Sequence, residues 1–204
     1  MAVETEIKIQ LTDLEEFRGR LQMLTPRLLC ARHFEDNFVL DDSEGRLRSR
    51  SCLLRVRKTK VKESVTFKGP LLPSALFKSR EEQETAVESA DVILRIFEQI
   101  GLKVWFRYQK YREEYAISVS QGPIRELKVA LDVTPIGNYA ELEGSEEGIR
   151  EVAAKLGVSE SKFLRDSYYS LFAQSCLERG EIPGHMVFSA PCGAEALPPR
   201  KDRQ

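Results

Sequence analysis

At 204 residues, 31% of them charged, the chain suits one domain with a sizeable core or at most two small ones. Lys plus Arg (31) nearly cancels Asp plus Glu (32), so the formal charge of -1 leaves no broad positive field for holding nucleic acid. Four cysteines (Cys30, Cys52, Cys176, Cys192) form no C-x-x-C pair and the two histidines, His33 and His185, lie far apart, which indicates neither a disulfide framework nor a zinc site.

Residues 3–11 alternate strictly: Val3, Thr5, Ile7, Ile9 and Leu11 share one face, and Glu4, Glu6, Lys8 and Gln10 the other, as a strand requires. Thr12 with Glu15 offers a capping box for a helix carrying Leu14, Phe17, Leu21 and Leu24, stopped by Pro26. A strand over 33–40 precedes a charged, turn-rich loop over 41–50. In the strand 52–59, Leu54 and Val56 oppose Arg55 and Arg57; in 64–68, Val65 and Phe67 oppose Ser64, Thr66 and Lys68. After the breaks at Gly69, Pro70 and Pro73, the strand 77–86 places Arg80, Glu82 and Glu84 on one side.

Ser89 can cap a helix bearing Val92, Ile93, Ile96, Phe97 and Ile100, with Gly101 as its stop. Strands resume at 104–117, where Lys110, Arg112 and Glu114 share a parity, and at 126–133, where Lys128 and Asp132 do. Tyr139, Glu141 and Glu143 line one face of the next strand. Ser145 caps a helix over 146–156, and a last helix is expected over about 159–177. Beyond Gly180 four prolines lie among small and charged residues, so 181–204 are expected to be a disordered tail after a single domain over 1–180.

Across many strands the polar face carries both signs of charge. An antiparallel sheet closed into a barrel points alternate side chains inward and outward. If the charged faces point outward they form a solvated skin; if inward, helices cover the apolar strands and the barrel encloses a polar tunnel. Taking ions out of water costs several kcal/mol each, so such a tunnel needs water or ligands of both signs. Clustered carboxylates suit a hard cation such as Mg²⁺, and Arg and Lys suit phosphate, which together point to a metal-bound polyphosphate.

These residues resemble a known family. Glu4-x-Glu6-x-Lys8 resembles the E-x-E-x-K signature of the CYTH superfamily, the triphosphate tunnel metalloenzymes, whose members include class IV adenylyl cyclases, thiamine triphosphatases and inorganic triphosphatases. The match continues in order with Leu54-Arg55-Val56-Arg57, Thr66-Phe67-Lys68-Gly69-Pro70, Arg80-x-Glu82-x-Glu84, Lys110-x-Arg112-x-x-Tyr115, Asp132 and Glu141-x-Glu143, covering roughly residues 3–175.

The resemblance implies an α+β fold, an antiparallel eight-stranded β-barrel with its charged faces inward and helices outside. It implies that Glu4, Glu6, Asp132, Glu141 and Glu143 hold a divalent metal, Mg²⁺ or Mn²⁺, and that Lys8, Arg55, Arg57, Lys68, Arg80, Lys110 and Arg112 grip a triphosphate. Glu4, Glu6, Lys8 and Arg57 are the expected catalytic set. Glu82 and Glu84 either orient the bases, help bind a second metal, or form a buried ion-pair network. Arg107 and Lys128 are further candidates, Arg107 on the outward parity; His33 and Tyr111 carry no assigned role.

The expected activity is metal-dependent hydrolysis of inorganic tripolyphosphate, thiamine triphosphate or a nucleoside triphosphate. Cyclisation of ATP to cAMP and pyrophosphate is the alternative, and a non-catalytic polyphosphate- or nucleotide-binding module is the third reading. The expected partner is a triphosphate-containing small molecule, with no nucleic acid and no membrane, and the expected assembly is a monomer or homodimer. No apolar run is long enough to span a bilayer and the N-terminus turns acidic by Glu4, so a cytoplasmic location is expected.

Overall fold

The computed structural model describes residues 2–74 and 76–189. Eight antiparallel strands, β1 (Ala2–Leu11), β2 (Arg27–Asp41), β3 (Leu53–Lys58), β4 (Glu63–Lys68), β5 (Lys78–Val87), β6 (Lys103–Ser118), β7 (Glu126–Thr134) and β8 (Gly137–Glu143), close into a barrel. Their order around the ring is β1-β5-β4-β3-β2-β6-β7-β8, with β8 pairing back onto β1 through Glu6 opposite Glu143 and Lys8 opposite Glu141. The fold is α+β, as expected, and no helix among the described residues is long and apolar enough to cross a membrane.

The apolar parity of the strands faces out and is covered by helices, because an uncovered apolar face would remain in water. Helices α1 (Leu14–Gln22) and α4 (Glu146–Lys155) bring Phe17, Leu21, Ile149, Val152 and Leu156 onto Ile7, Ile9, Val129, Leu131 and Leu142. Helix α3 (Ala90–Gln99) lays Ala90, Ile93 and Phe97 over Leu40, Val56 and Val65. The helix starts are chemical: Ser89 accepts from the Val92 N–H and Ser145 from that of Gly148. For α1 the cap is Asp13, which accepts from Glu16, and not Thr12.

Besides β2, which begins at Arg27 where the expected strand begins at 33, three other segments depart from the sequence expectation. The 41–50 loop contains a one-turn helix, α2 (Arg46–Ser49), shaped by buried Asp41, whose carboxylate accepts from the backbone of Asp42, Leu47 and Arg48. The last helix is interrupted: a 3-10 turn at Glu160–Lys162 is followed by an extended stretch, and α5 (Tyr168–Glu178) starts only at its Ser167 cap. The interruption lets Leu164 exchange two backbone hydrogen bonds with Lys8, of 2.9 and 2.8 Å, where β1 has run past the end of β5.

The third is the expected tail. Within 181–189, Met186 is fully buried, and its backbone bonds Arg107 O and Gln109 N, while His185 Nδ1 accepts from Arg107 N–H. This stretch occupies the side of β6 that β7 leaves open, since β7 pairs with β6 only from Tyr111 onward. A proline-rich, polar composition hid one methionine with a socket. The remainder of the expected tail, 190–204, lies outside the described residues.

Candidate functional site

A cavity of about 880 Å³ runs through the barrel and is lined from all eight strands. The inward parity of β1 supplies Glu4, Glu6 and Lys8; β3 supplies Arg55 and Arg57; β4 Lys68; β5 Arg80, Glu82 and Glu84; β6 Lys110 and Arg112; β8 Glu141 and Glu143. Thus every expected site residue lines the cavity except Asp132, which is wholly buried behind its wall. Lys128 also lines it and pairs with Glu143. Arg107 points outward to Asp36, its Nε 2.9 Å from Oδ1, and Tyr111 packs outside against Phe34 and Phe188.

Acids and bases neutralise one another around the wall of the lumen. Lys68 pairs with Glu4 and stands 3.0 Å from Glu82. Glu6 Oε1 accepts from Lys78 Nζ at 2.7 Å, with Lys8 Nζ 3.4 Å away; Lys8 is also 3.2 Å from Glu141, which pairs with Arg112. Asp132 receives both arms of Arg112 at 2.7 and 2.6 Å, Lys110 at 3.0 Å, and the hydroxyl of Tyr168 at 2.6 Å. Arg57 donates to Asn37 Oδ1 at 2.9 Å and lies 3.2 Å from Glu35, while Arg55 donates to Thr66 at 3.1 Å and to the Tyr108 hydroxyl at 3.3 Å. Glu84 bonds Lys62 and Thr66, at 2.7 and 2.9 Å, nearer one mouth.

The fields follow from this pairing. Burial, and then the neighbouring Glu6, push the Glu4 carboxyl up to about 7, whereas a hydrogen bond from Glu4 and the charge of Lys68 overcome burial to hold Glu82 low. Burial acts against the charge of Glu6 as well, yet Lys78 and Lys8 keep it well below the usual carboxylate range. Arg112 and Lys8 do the same for Glu141. Burial pushes the Lys78 ammonium down to about 8 in spite of Glu6. At Tyr168 burial and Asp132 both push the phenol up, so its hydroxyl stays a donor.

Several lumen residues lie outside the site expected from sequence. Lys78 has the parity of Arg80 and was legible by that signal alone. Glu35 is 1% exposed and faces Arg57, His33 at 3.4 Å and Lys110 at 3.6 Å, with its Oε2 lacking a hydrogen-bond partner among the described residues. Its signal was its alternation with His33 and Asn37, masked by the apolar run on the other parity. Tyr168 has no local signal, because the ring lies 5.2 Å from Lys8 Nζ and 5.1 Å from Lys110 Nζ only through tertiary packing.

The donors suit a hard divalent cation: Glu4, Glu6, Glu141 and Glu143 project carboxylate oxygens into one lumen from adjacent strands β1 and β8. As they stand, no group of three or more His, Cys, Asp or Glu side chains among the described residues is arranged to hold a metal ion. The lysines and arginines occupy the carboxylate oxygens instead. The donor chemistry fits the cation, and binding one there would require some of these bases to withdraw.

Comparison with known proteins agrees with this architecture. The family model described as CYTH domain matches residues 2–169. A protein of Methanocaldococcus jannaschii, named "Putative adenylate cyclase", is 26% identical over 179 residues, spanning 83% of this chain and 98% of its own. A Vibrio parahaemolyticus structure bearing the same description has a TM-score of 0.69 at 17% identity, covering 83% of this chain and 97% of that one. The Hippeastrum protein HpAC1, described with a dominant triphosphatase activity, has a TM-score of 0.58 at 17% identity over 88% of this chain and 97% of that one.

Proposed function

The chain belongs to the CYTH domain family, and from that premise we propose that its tunnel binds a triphosphate-containing small molecule with a divalent cation, Mg²⁺ or Mn²⁺, and hydrolyses a phosphoanhydride bond. The observation that carries this reading is the self-neutralised lumen, in which a cavity of about 880 Å³ is walled by acid–base pairs from strands all around the ring. A substrate that is polyanionic and metal-bound can replace both halves of those pairs at once, supplying phosphate oxygens to the bases and a cation to the acids. A single ion of either sign would leave half of them unpaired.

Phosphoryl transfer asks mainly for positioning and charge stabilisation. In this reading Arg55, Arg57, Lys110 and Arg112 hold the phosphate chain, together with Lys8, Lys68 and Arg80 from β1, β4 and β5. Glu4, Glu6, Glu141 and Glu143 hold the cation. Asp132 is saturated by Lys110, Arg112 and Tyr168, and this favours a role in aiming the two bases over one as a ligand. When bound, the metal neutralises phosphate oxygens and polarises the scissile bond.

Cyclisation of ATP is the second reading, favoured by the name of the Methanocaldococcus relative. One experiment separates the readings: purified protein with Mg²⁺ or Mn²⁺ is incubated with tripolyphosphate, thiamine triphosphate or ATP, and phosphate, pyrophosphate and cAMP are measured. Phosphate release supports hydrolysis, and cAMP with pyrophosphate supports cyclisation. Tight binding without product removes both in favour of a binding module.

A further inference from the structure

Strands β1 and β5 place Glu6 opposite Lys78 and Glu4 opposite Arg80 in register. Lys78 Nζ donates to Glu6 Oε1 at 2.7 Å, and Lys8 approaches the same oxygen at 3.4 Å. Arg80, the next inward residue on β5, is 7% exposed and has no carboxylate within 4 Å among the described residues. This wall therefore holds three cations, Lys8, Lys78 and Arg80, beside Glu6, the Glu4 and Glu82 that Lys68 engages, and the Glu141 that Lys8 shares with Arg112. Of the three, Arg80 stands apart from the acid–base pairs found among the described residues.

We propose that Lys78 is a further phosphate-binding residue, which pairs with Glu6 while that carboxylate is free and turns with Arg80 to a phosphate oxygen when Glu6 takes a divalent cation. The proposal rests on the reading of Glu6 as a metal ligand. An ammonium and a divalent cation cannot share one carboxylate oxygen without strong like-charge repulsion at such distances. Lys78 is the residue able to leave, since its flexible four-carbon stem moves the charge without moving the strand. Once displaced it enters a wall already occupied by Lys8 and Arg80, a cost that a phosphate group removes. Cation alone and phosphate alone therefore each bind weakly, and each promotes the other by the same factor.

The test measures binding in the full chain, without turnover. Mn²⁺ affinity, from the free-ion electron paramagnetic resonance signal, and tripolyphosphate affinity, from calorimetry, are compared for wild type and Lys78→Met. The expected result has opposite signs: Mn²⁺ alone binds about 3- to 10-fold tighter because Glu6 is unmasked, while tripolyphosphate binds about 10-fold or more weakly, one charge-assisted contact being lost. The promotion of each ligand by the other also shrinks. A merely structural lysine would weaken both affinities in parallel, and that outcome overturns the proposal, as does unchanged tripolyphosphate binding. If wild type binds no Mn²⁺, the reading of Glu6 itself fails; if wild type binds it and the variant shows no opposite shift, only the role of Lys78 fails. Should Lys78→Met lose its native circular dichroism, Lys78→Gln, which keeps a donor toward Glu6 without the charge, gives the same comparison.

Discussion

Tyr168 donates its hydroxyl to Asp132 Oδ2 at 2.6 Å, so the first residue of α5 is bonded to the carboxylate that also fixes Lys110 and Arg112. The helix at one end of the tunnel and the second basic strand are thereby aligned on a single buried acid. Tyr168→Phe keeps the ring against Lys8 and Lys110 but strips one donor from Asp132. The expected outcome is about 1 kcal/mol lower stability in urea unfolding and a several-fold weaker triphosphate affinity through misaimed bases. Unaltered affinity would show that Asp132 holds the bases without help from α5.

Glu4 gives the metal-free protein a definite pH dependence. Its folded-state value, raised to about 7 by burial and by Glu6, exceeds the ordinary 4.5. Below pH 4.5 both states are protonated and the group costs nothing. Between pH 4.5 and about 7 the unfolded chain ionises first, so folding stability falls as pH rises, with the full penalty above 7. Glu4→Gln is therefore expected to gain stability relative to wild type on going from pH 5 to pH 8, by about 1–3 kcal/mol. The same variant loses Mn²⁺ binding if Glu4 is a ligand. Urea unfolding at the two pH values and a Mn²⁺ titration check both signs.

Glu6→Gln addresses the proposed metal site without the pH complication, because Lys78 and Lys8 keep Glu6 ionised. The amide retains the shape and an acceptor for Lys78, so the fold is expected to survive. Metal-dependent turnover is expected to fall by at least about 100-fold, the scale of losing a direct ligand together with its orientation. A rate equal to wild type takes Glu6 out of the site.

Arg57 lines the cavity, donates through Nε to Asn37 Oδ1 at 2.9 Å, and holds its Nη1 3.2 Å from Glu35, a two-sided clamp. Arg57→Ala is expected to weaken tripolyphosphate binding about 10- to 100-fold, as removal of a charged hydrogen-bond donor does, with Mn²⁺ affinity nearly unchanged. Calorimetry with each ligand separately reads the two effects. Equal tripolyphosphate affinity would remove Arg57 from the grip.

Met186 is expected to matter for stability although its segment reads as a tail. Its side chain is fully buried beside Tyr108, Tyr168 and Phe172. Met186→Ala is expected to cost about 2–4 kcal/mol in unfolding free energy, the usual range for emptying such a socket. A change below about 0.5 kcal/mol would mean the segment rests on the barrel without supporting it.

The barrel was readable because its strands alternate and their charged residues recur at fixed parity: Glu4 and Glu6, Arg55 and Arg57, and Glu141 and Glu143 each announce an inward face. Lys78 shares that parity two residues before Arg80 but lies outside the Arg80-x-Glu82-x-Glu84 pattern. Glu35 lies on the polar face of a strand whose other face carries Phe34 and Phe38. Asp13 in place of Thr12, and the break before Tyr168, follow from geometry that composition does not carry. The seat of Met186 depends on β7 ending short of the first half of β6, a fact about two other strands.

That short strand has a consequence for solubility. Between residues 103 and 110, one flank of β6 has no partner from β7, and the amide and carbonyl of Arg107 and the amide of Gln109 are met there by His185 and Met186. Without these residues the flank becomes an open β-edge, the kind of template on which two chains zip together. The few residues after α5 thus act as a selvedge, keeping a closed barrel from fraying into an adhesive one.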